Sequence, residues 1–203
     1  FEIPNMTNPA YVARGDYSGV KNTRFGISAY YTPSTAKNST KPSRMEGIKG
    51  AITILSADAQ YYSRDIIARA NVIYGNLTES DLIYKENLRN PTALGYSETP
   101  VAKDVLTYGA EVGYNIGAFF NHKFNLFPFV RYEYYNSMHK TANNISADPR
   151  YKVDLITAGL NYYILPNLVA KADYARRWIG GGRFNNESTI SLGLAYIGWF
   201  FSK

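Results

Sequence analysis

The chain has 203 residues, 45% hydrophobic and 19% charged, with a net charge of +6 and no cysteine. Its longest apolar run falls far short of the roughly 18–20 residues of a membrane-spanning helix, and the lack of cysteine excludes thiol catalysis and zinc–thiolate sites. Its 19 tyrosines, 10 phenylalanines and 16 glycines suit strands that meet lipid on one side and water on the other.

In chain order, alternation of period two predicts nine strands. The first covers residues 11–20, with Arg14, Asp16 and Ser18 on its polar side. In the second, Phe25, Ile27, Ala29 and Tyr31 oppose Arg24, Gly26, Ser28 and Tyr30. Leu55, Ala57, Ala59 and Tyr61 then oppose Ser56, Asp58 and Gln60, and Ile66, Ala68, Ala70, Val72 and Tyr74 oppose Arg69, Asn71 and Gly75. The clearest case spans residues 106–118. Leu106, Tyr108, Ala110, Val112, Tyr114, Ile116 and Ala118 point one way; Thr107, Gly109, Glu111, Gly113, Asn115 and Gly117 point the other. A helix would scatter these two sets, whereas a strand separates them. Val130, Tyr132 and Tyr134 oppose Arg131, Glu133 and Tyr135, and Ile156, Ala158, Leu160 and Tyr162 oppose Thr157, Gly159 and Asn161. Leu168, Ala170, Ala172 and Tyr174 oppose Lys171, Asp173 and Ala175, and Ile190, Leu192, Leu194 and Tyr196 oppose Ser191, Gly193 and Ala195.

The predicted connections alternate in length. Short turns fall at residues 21–22, 63–65, 121–125 and 165–167, and longer polar segments at 33–46, 77–103, 137–150 and 179–186. The second long segment is expected to hold a helical turn or two over residues 80–88, capped by Thr78 or Ser80. Short turns on one rim and long loops on the other are the layout of an outer-membrane barrel, the short ones facing the periplasm. Nine strands then put the first residues on the extracellular side. Single-chain bacterial barrels are even-numbered, so at least one upstream strand is expected. The chain opens with Phe1 and shows no signal peptide, as a mature or truncated exported protein would.

The charged face carries the candidate functional residues Arg14, Asp16, Arg24, Asp58, Arg69, Glu111, Arg131, Glu133, Lys171 and Asp173, together with Gln60, Asn71, Asn115 and Asn161. A soluble sandwich would turn this face outward. Three features point to the inverted arrangement, with charges lining a wet lumen. The apolar face is rich in Ala and Tyr rather than in close-packing Leu, Ile and Phe. Aromatic residues gather near strand ends, at Tyr30-Tyr31, Tyr61-Tyr62, Tyr134-Tyr135, Tyr162-Tyr163, Trp178 and Trp199, where interface girdles belong. Charges of both signs interleave, so neighbouring strands can pair them. The expected fold class is therefore all-β, a transmembrane antiparallel β-barrel of outer-membrane type, with residues 1–203 forming one barrel segment.

These stretches resemble the C-terminal half of the Gram-negative porins related to the phosphate-selective porin O and P type. The resemblance lies in Asn8-Pro9-Ala10-Tyr11 with Arg14, in Asp16-Tyr17 and Gly19-Val20, and in residues 24–31. It continues through Asp58-Ala59-Gln60-Tyr61, residues 108–114, Pro128-Phe129-Val130-Arg131-Tyr132-Glu133 and residues 157–163, ending with residues 167–173 and Leu192-Gly193-Leu194-Ala195-Tyr196. It implies a larger barrel of about 16 strands, set among outer-membrane lipid and lipopolysaccharide. It also implies a homotrimer and passive passage of small hydrophilic, including anionic, solutes. The family's anion-binding residues belong mainly to its N-terminal half, so none is carried over. The ending Phe200-Phe201-Ser202-Lys203 departs from the usual terminal aromatic.

Chemistry is otherwise sparse. His122, expected in a short turn, and His139, expected in a loop, lack metal-ligand spacing. No G-x-S-x-G elbow occurs. Gly180-Gly181-Gly182 lacks the Lys-Ser/Thr of a phosphate loop and reads as a flexible tip. Asn38-Ser39-Thr40 and Asn144-Ile145-Ser146 fit glycosylation sequons in expected outer loops. Basic residues are dispersed, against nucleic-acid binding. No catalytic residue, cofactor or metal is expected, and the chain does not read as an enzyme. The leading expectation is a diffusion channel filtered by width and lumen charge, the mild basic excess favouring anions. The alternative is a plugged or narrow barrel that anchors a partner or serves as a complex subunit.

Overall fold

The computed structural model describes residues 8–35, 45–89, 100–143 and 145–196. They form one nine-stranded sheet in which every strand pairs with its sequence neighbour, antiparallel throughout. The strands are β1 (Tyr11–Tyr17), β2 (Thr23–Thr32), β3 (Ile52–Tyr62), β4 (Ile66–Leu77), β5 (Ala102–Tyr114), β6 (Asn125–Thr141), β7 (Lys152–Leu165), β8 (Leu168–Ile179) and β9 (Asn186–Tyr196). One helix, α1 (Ser80–Arg89), lies between β4 and β5. Among the described residues β1 and β9 do not pair, so the sheet is open. No described helix is long and apolar enough to cross a membrane.

The register preserves the two faces across all nine strands. Tyr17 pairs with Phe25, Ala59 with Ala70, Val72 with Tyr108, Val112 with Val130, Ala158 with Tyr174 and Ala170 with Leu194, all on the apolar side. Because a slip of one residue would exchange the faces, these pairs, with Phe25–Ala59 and Val130–Ala158 at the two remaining junctions, tie each strand to its neighbour. In β4 the apolar set runs from Ile66 to Tyr74. Eight steps at about 3.3 Å make roughly 26 Å along the strand, comparable, before strand tilt shortens it, with the roughly 25 Å apolar band of outer-membrane barrels.

Burial follows the faces in an unusual sense. The buried strand residues lie largely on the polar side, Gly26, Gly75, Gly113, Thr157 and Val169 among them. The apolar side lies open even on the inner strands, with Leu55 51%, Val112 49% and Val130 48% exposed. The buried hydrophobic residues are only Phe127, Met138, Ile145, Val153 and Val169 among those described. This sheet has no core of its own on its apolar face.

Several expectations are corrected. The strand expected over residues 106–118 ends at Tyr114, and a 3-10 helix, Ile116–Phe120, replaces its last turn. The cause is Asn115, whose side-chain oxygen accepts the Gly117 amide and so caps the 3-10 turn instead of continuing the ladder. Asn121 and His122, both at positive φ, then lead the chain towards β6. The first strand stops at Tyr17, short of residue 20. His139 lies in β6, which extends to Thr141, not in a loop.

Helix α1 lies where expected but, at ten residues, is longer than one or two turns, with Asp81 in the first turn and Arg89 in the last, both favourable to its dipole. Neither Thr78 nor Ser80 accepts its first bonds; Leu82 and Ile83 donate to the Glu79 carbonyl. The Thr78 hydroxyl receives the Ala51 amide, and the Glu79 carboxylate receives the Lys49 and Gly50 amides at 2.6 and 3.3 Å. These bonds tie the helix start to the segment before β3. Gly180 is not a free tip: its amide donates to the Lys152 carbonyl, and a Cβ on Gly181 would lie 2.9 Å from Pro149. The Asn38 sequon, Asn144 of the second sequon and Trp199 lie outside the described residues, while Ile145 of the second is buried.

Candidate functional site

The polar face brings together the ten charges singled out in the sequence, now in a defined order. Strand parity and register place Arg14, Asp16, Arg24, Asp58, Arg69, Glu111, Arg131, Glu133, Lys171 and Asp173 on one side of the sheet. Asn115, expected among them, is not a wall residue. It is fully buried in the turn after β5, where its oxygen accepts from the amides of Gly117 and Leu126 and its amide donates to Asn125.

Two clusters account for eight of the ten. In the first, Arg14 Nη2 stands 2.7 Å from Asp16 Oδ1 and 2.8 Å from Asp58 Oδ1, and Arg24 lies 3.9 Å from Asp16. Asp58 is on β3, so the Arg14 side chain spans β2 to reach it. It crosses at Gly26, where a Cβ would lie 2.6 Å from Asp58 Oδ2 and inside contact distance of Arg14 Nη2. In the second cluster Glu111 is shared. Arg131 Nη2 lies 2.8 Å from its Oε2, Arg69 Nε lies 3.6 Å from its Oε1, and Arg131 Nη1 lies 3.8 Å from Glu133. These residues border a shallow hollow of about 210 Å³ that also touches Asn71 and Gly109.

Lys171 and Asp173 stand apart. Neither has an ion-pair partner among the described residues. Lys171 pairs in register with Asn161 and with Gly193, beside which a Cβ would meet nothing within 4 Å. Asp173 packs against Gly159, where a Cβ would lie 2.7 Å from both Asp173 Cβ and Phe129 Cε1. The β7–β9 part of the face is therefore less neutralised than the β1–β6 part.

The ten charges are five basic and five acidic, so the wall itself carries no basic excess. The excess lies elsewhere, in residues such as Lys21, Arg64, Lys123 and Arg183 in the turns and loops. Anion preference thus loses the simple support that net charge gave it.

Sequence reading missed a third polar-face pair, Arg177 with Glu187, opposite one another on β8 and β9. Arg177 extends the alternation of Lys171, Asp173 and Ala175 and could have been found by counting two further residues. Charges at the long-loop end of the apolar face were also missed, Asp154 and Arg176 among them. No group of three or more metal-capable side chains occurs among the described residues. His122 Nδ1 lies 3.5 Å from Asp65 Oδ1, a single pair rather than a ligand set. The chain matches no protein-family model and no curated protein.

Proposed function

We propose that this sheet is wall of an outer-membrane β-barrel, its charged face lining a hydrated channel through which small hydrophilic solutes diffuse. One observation carries this reading: a continuous sheet whose apolar side is bare while its ion-paired side is crowded. Leaving a large apolar side chain in water forgoes about 1.5–3 kcal/mol compared with burying it. More than a dozen are bare here, Ile27, Leu55, Val112, Leu160 and Leu192 among them. Hydrocarbon removes that penalty along the whole face, and the tyrosines at its two ends suit the membrane interfaces.

Strand number favours a channel over the plugged anchor. Eight strands give an interior that side chains fill, and nine are already present. Odd-numbered strands run parallel, so β1 cannot close antiparallel on β9; antiparallel closure takes an odd number of further strands, making ten at the least. The resemblance to porins of the O and P type supports the wider figure of about 16 strands and a trimer. Balanced lumen charge supports weak selectivity rather than a dedicated anion site.

The test is planar-bilayer recording on the full chain with whatever strands complete it. Discrete, long-lived conductance steps are expected. A protein that inserts and folds but passes no ions would overturn the channel reading in favour of an anchor. A protein that stays soluble and monomeric, with Val112 and Tyr114 inside, would overturn the membrane reading altogether.

A further inference from the structure

The hollow beside Gly109 holds more than a wall of ion pairs requires. Asn71, Gly109 and Glu133 stand level on β4, β5 and β6, and Arg69, Glu111 and Arg131 stand level two residues nearer the short turns. Gly109 has no side chain, and both of its neighbours lean over it: a Cβ there would lie 3.3 Å from Glu133 Cγ and 3.4 Å from Asn71 Oδ1. The floor of the hollow is therefore backbone. Its sides are one amide, two guanidiniums and two carboxylates around about 210 Å³.

These four charges sum to zero, but they do not cancel in pairs. Glu111 accepts from Arg131 Nε at 2.8 Å, and that bond engages both. Arg69 only approaches the same carboxylate, its Nε 3.6 Å from Oε1, too far for a hydrogen bond. Its guanidinium lies over the Tyr62 ring instead, Cζ 5.5 Å from the centroid, a contact that holds a cation without neutralising it. Glu133 has only Arg131 Nη1, at 3.8 Å. Among the described residues the side chains of Arg69, Asn71 and Glu133 make no hydrogen bond. One cation and one anion, on either side of β5, are left to a solute.

We propose that this hollow is a binding station for small zwitterions of the α-amino acid type. The ammonium sits over Gly109 between Glu133 and the Asn71 oxygen, and the carboxylate meets the Arg69 fork. A lone anion at Arg69 would face Glu111 and Glu133, and a lone cation at Glu133 would face Arg69 and Arg131. A molecule carrying both charges sets each against its opposite. A neutral polyol brings no charge of its own to either group. As a station for passing solutes the hollow rests on the channel reading above, and it names the solute class favoured there.

The experiment refolds the full chain in detergent micelles, confirms β-structure by circular dichroism and measures binding by titration calorimetry; the same protein is recorded in planar bilayers. The probes are alanine, alaninamide (ammonium only), N-acetylalanine (carboxylate only) and glucose. Expected is saturable binding of alanine, with a saturable fall in single-channel current. The other three should bind roughly tenfold more weakly, one charge-assisted hydrogen bond's worth. Folded R69Q should lose the preference for alanine over alaninamide and keep that over N-acetylalanine. Folded E133Q should do the reverse, a split that a merely structural role does not produce. K123Q, in a connection outside the hollow, should bind as the parent does. Equal binding of alanine and its one-charge derivatives, tighter binding of glucose, or unchanged preferences in either variant would each overturn the site, while current steps in the parent would still uphold the channel. The expected binding in micelles by a protein that passes no ions would overturn the channel and leave the site standing.

Discussion

Arg14 on β1 reaches over β2 to Asp58 on β3, its Nη2 2.8 Å from the carboxylate, because Gly26 between them has no side chain. One ion pair therefore ties three strands, and a glycine on the middle strand decides whether it forms. On this wall glycine serves close approach, letting a guanidinium lie flat across the sheet instead of projecting from it.

Gly26→Val places a branched side chain in the path of that pair. Arg14 must lift off the wall and Asp58 loses its partner. Amide exchange should quicken along β1, the open edge, and stay unchanged in β7 and β8. Hydrogen–deuterium exchange read strand by strand checks this, and uniform protection in the variant would contradict the account.

Lys171 is a cation of the polar face without a described partner, so it governs the local potential more than the paired arginines do. Lys171→Glu changes the wall by two charges. If this face lines a channel as proposed, two charges at ~10 Å in water, partly screened, should shift cation-over-anion permeability roughly twofold to fourfold. Reversal potentials under a salt gradient measure the ratio. Arg131→Gln should shift it in the same direction but less, since the parent guanidinium is already shared between Glu111 and Glu133.

Asn115 is fully buried and makes the hydrogen bonds that turn β5 into β6. Asn115→Ala leaves the Leu126 and Gly117 amides without its oxygen, at a cost of about 1–3 kcal/mol. Asn115→Asp keeps the acceptor but sets a buried carboxylate where the amide now faces Asn125 Oδ1 at 3.0 Å and Asp65 Oδ1 at 3.5 Å, so it should not recover that loss at neutral pH. Urea unfolding in micelles resolves the difference through a lower midpoint at unchanged slope.

Asp148, in the connection between β6 and β7, is held below its ordinary pKa of 3.8, first by the Arg150 side chain and then by the Arg150 amide. Because its folded value is depressed, the contribution of this turn is present above pH 3.8 and is lost as pH falls through the lower folded value. The amides of Arg150 and Tyr151 should stay protected from neutral pH down to that point and open below it. Asp148→Asn should abolish the pH dependence and leave the turn loosened throughout. Exchange measured across pH reads both.

Much of this was legible one strand at a time. The alternation of Tyr108, Ala110, Val112 and Tyr114 with Gly109, Glu111 and Gly113 is a property of a single β-strand, so it can be counted without knowing any partner. The same parity, carried further, would have placed Arg176 beside Tyr174 and Trp178, and Arg177 beside Asp173. Those residues were passed over where charge interrupted the apolar set. The alternation failed at Asn115 because an asparagine can cap a turn as readily as it can continue a polar face, and only its surroundings choose.

Two faces and nine strands were thus determined by the residues alone, since side-chain period acts within a few positions along the chain. The alternation of short and long connections fails at its middle, where residues 115–124 between β5 and β6 equal in number residues 142–151 between β6 and β7. Which charges meet was decided only in the folded sheet. Arg14 and Asp58 lie 44 residues apart, and Glu111 finds Arg69 and Arg131 on either side because the ladder sets them level. Register joins distant segments through loop length and cross-strand packing, and no local pattern encodes it.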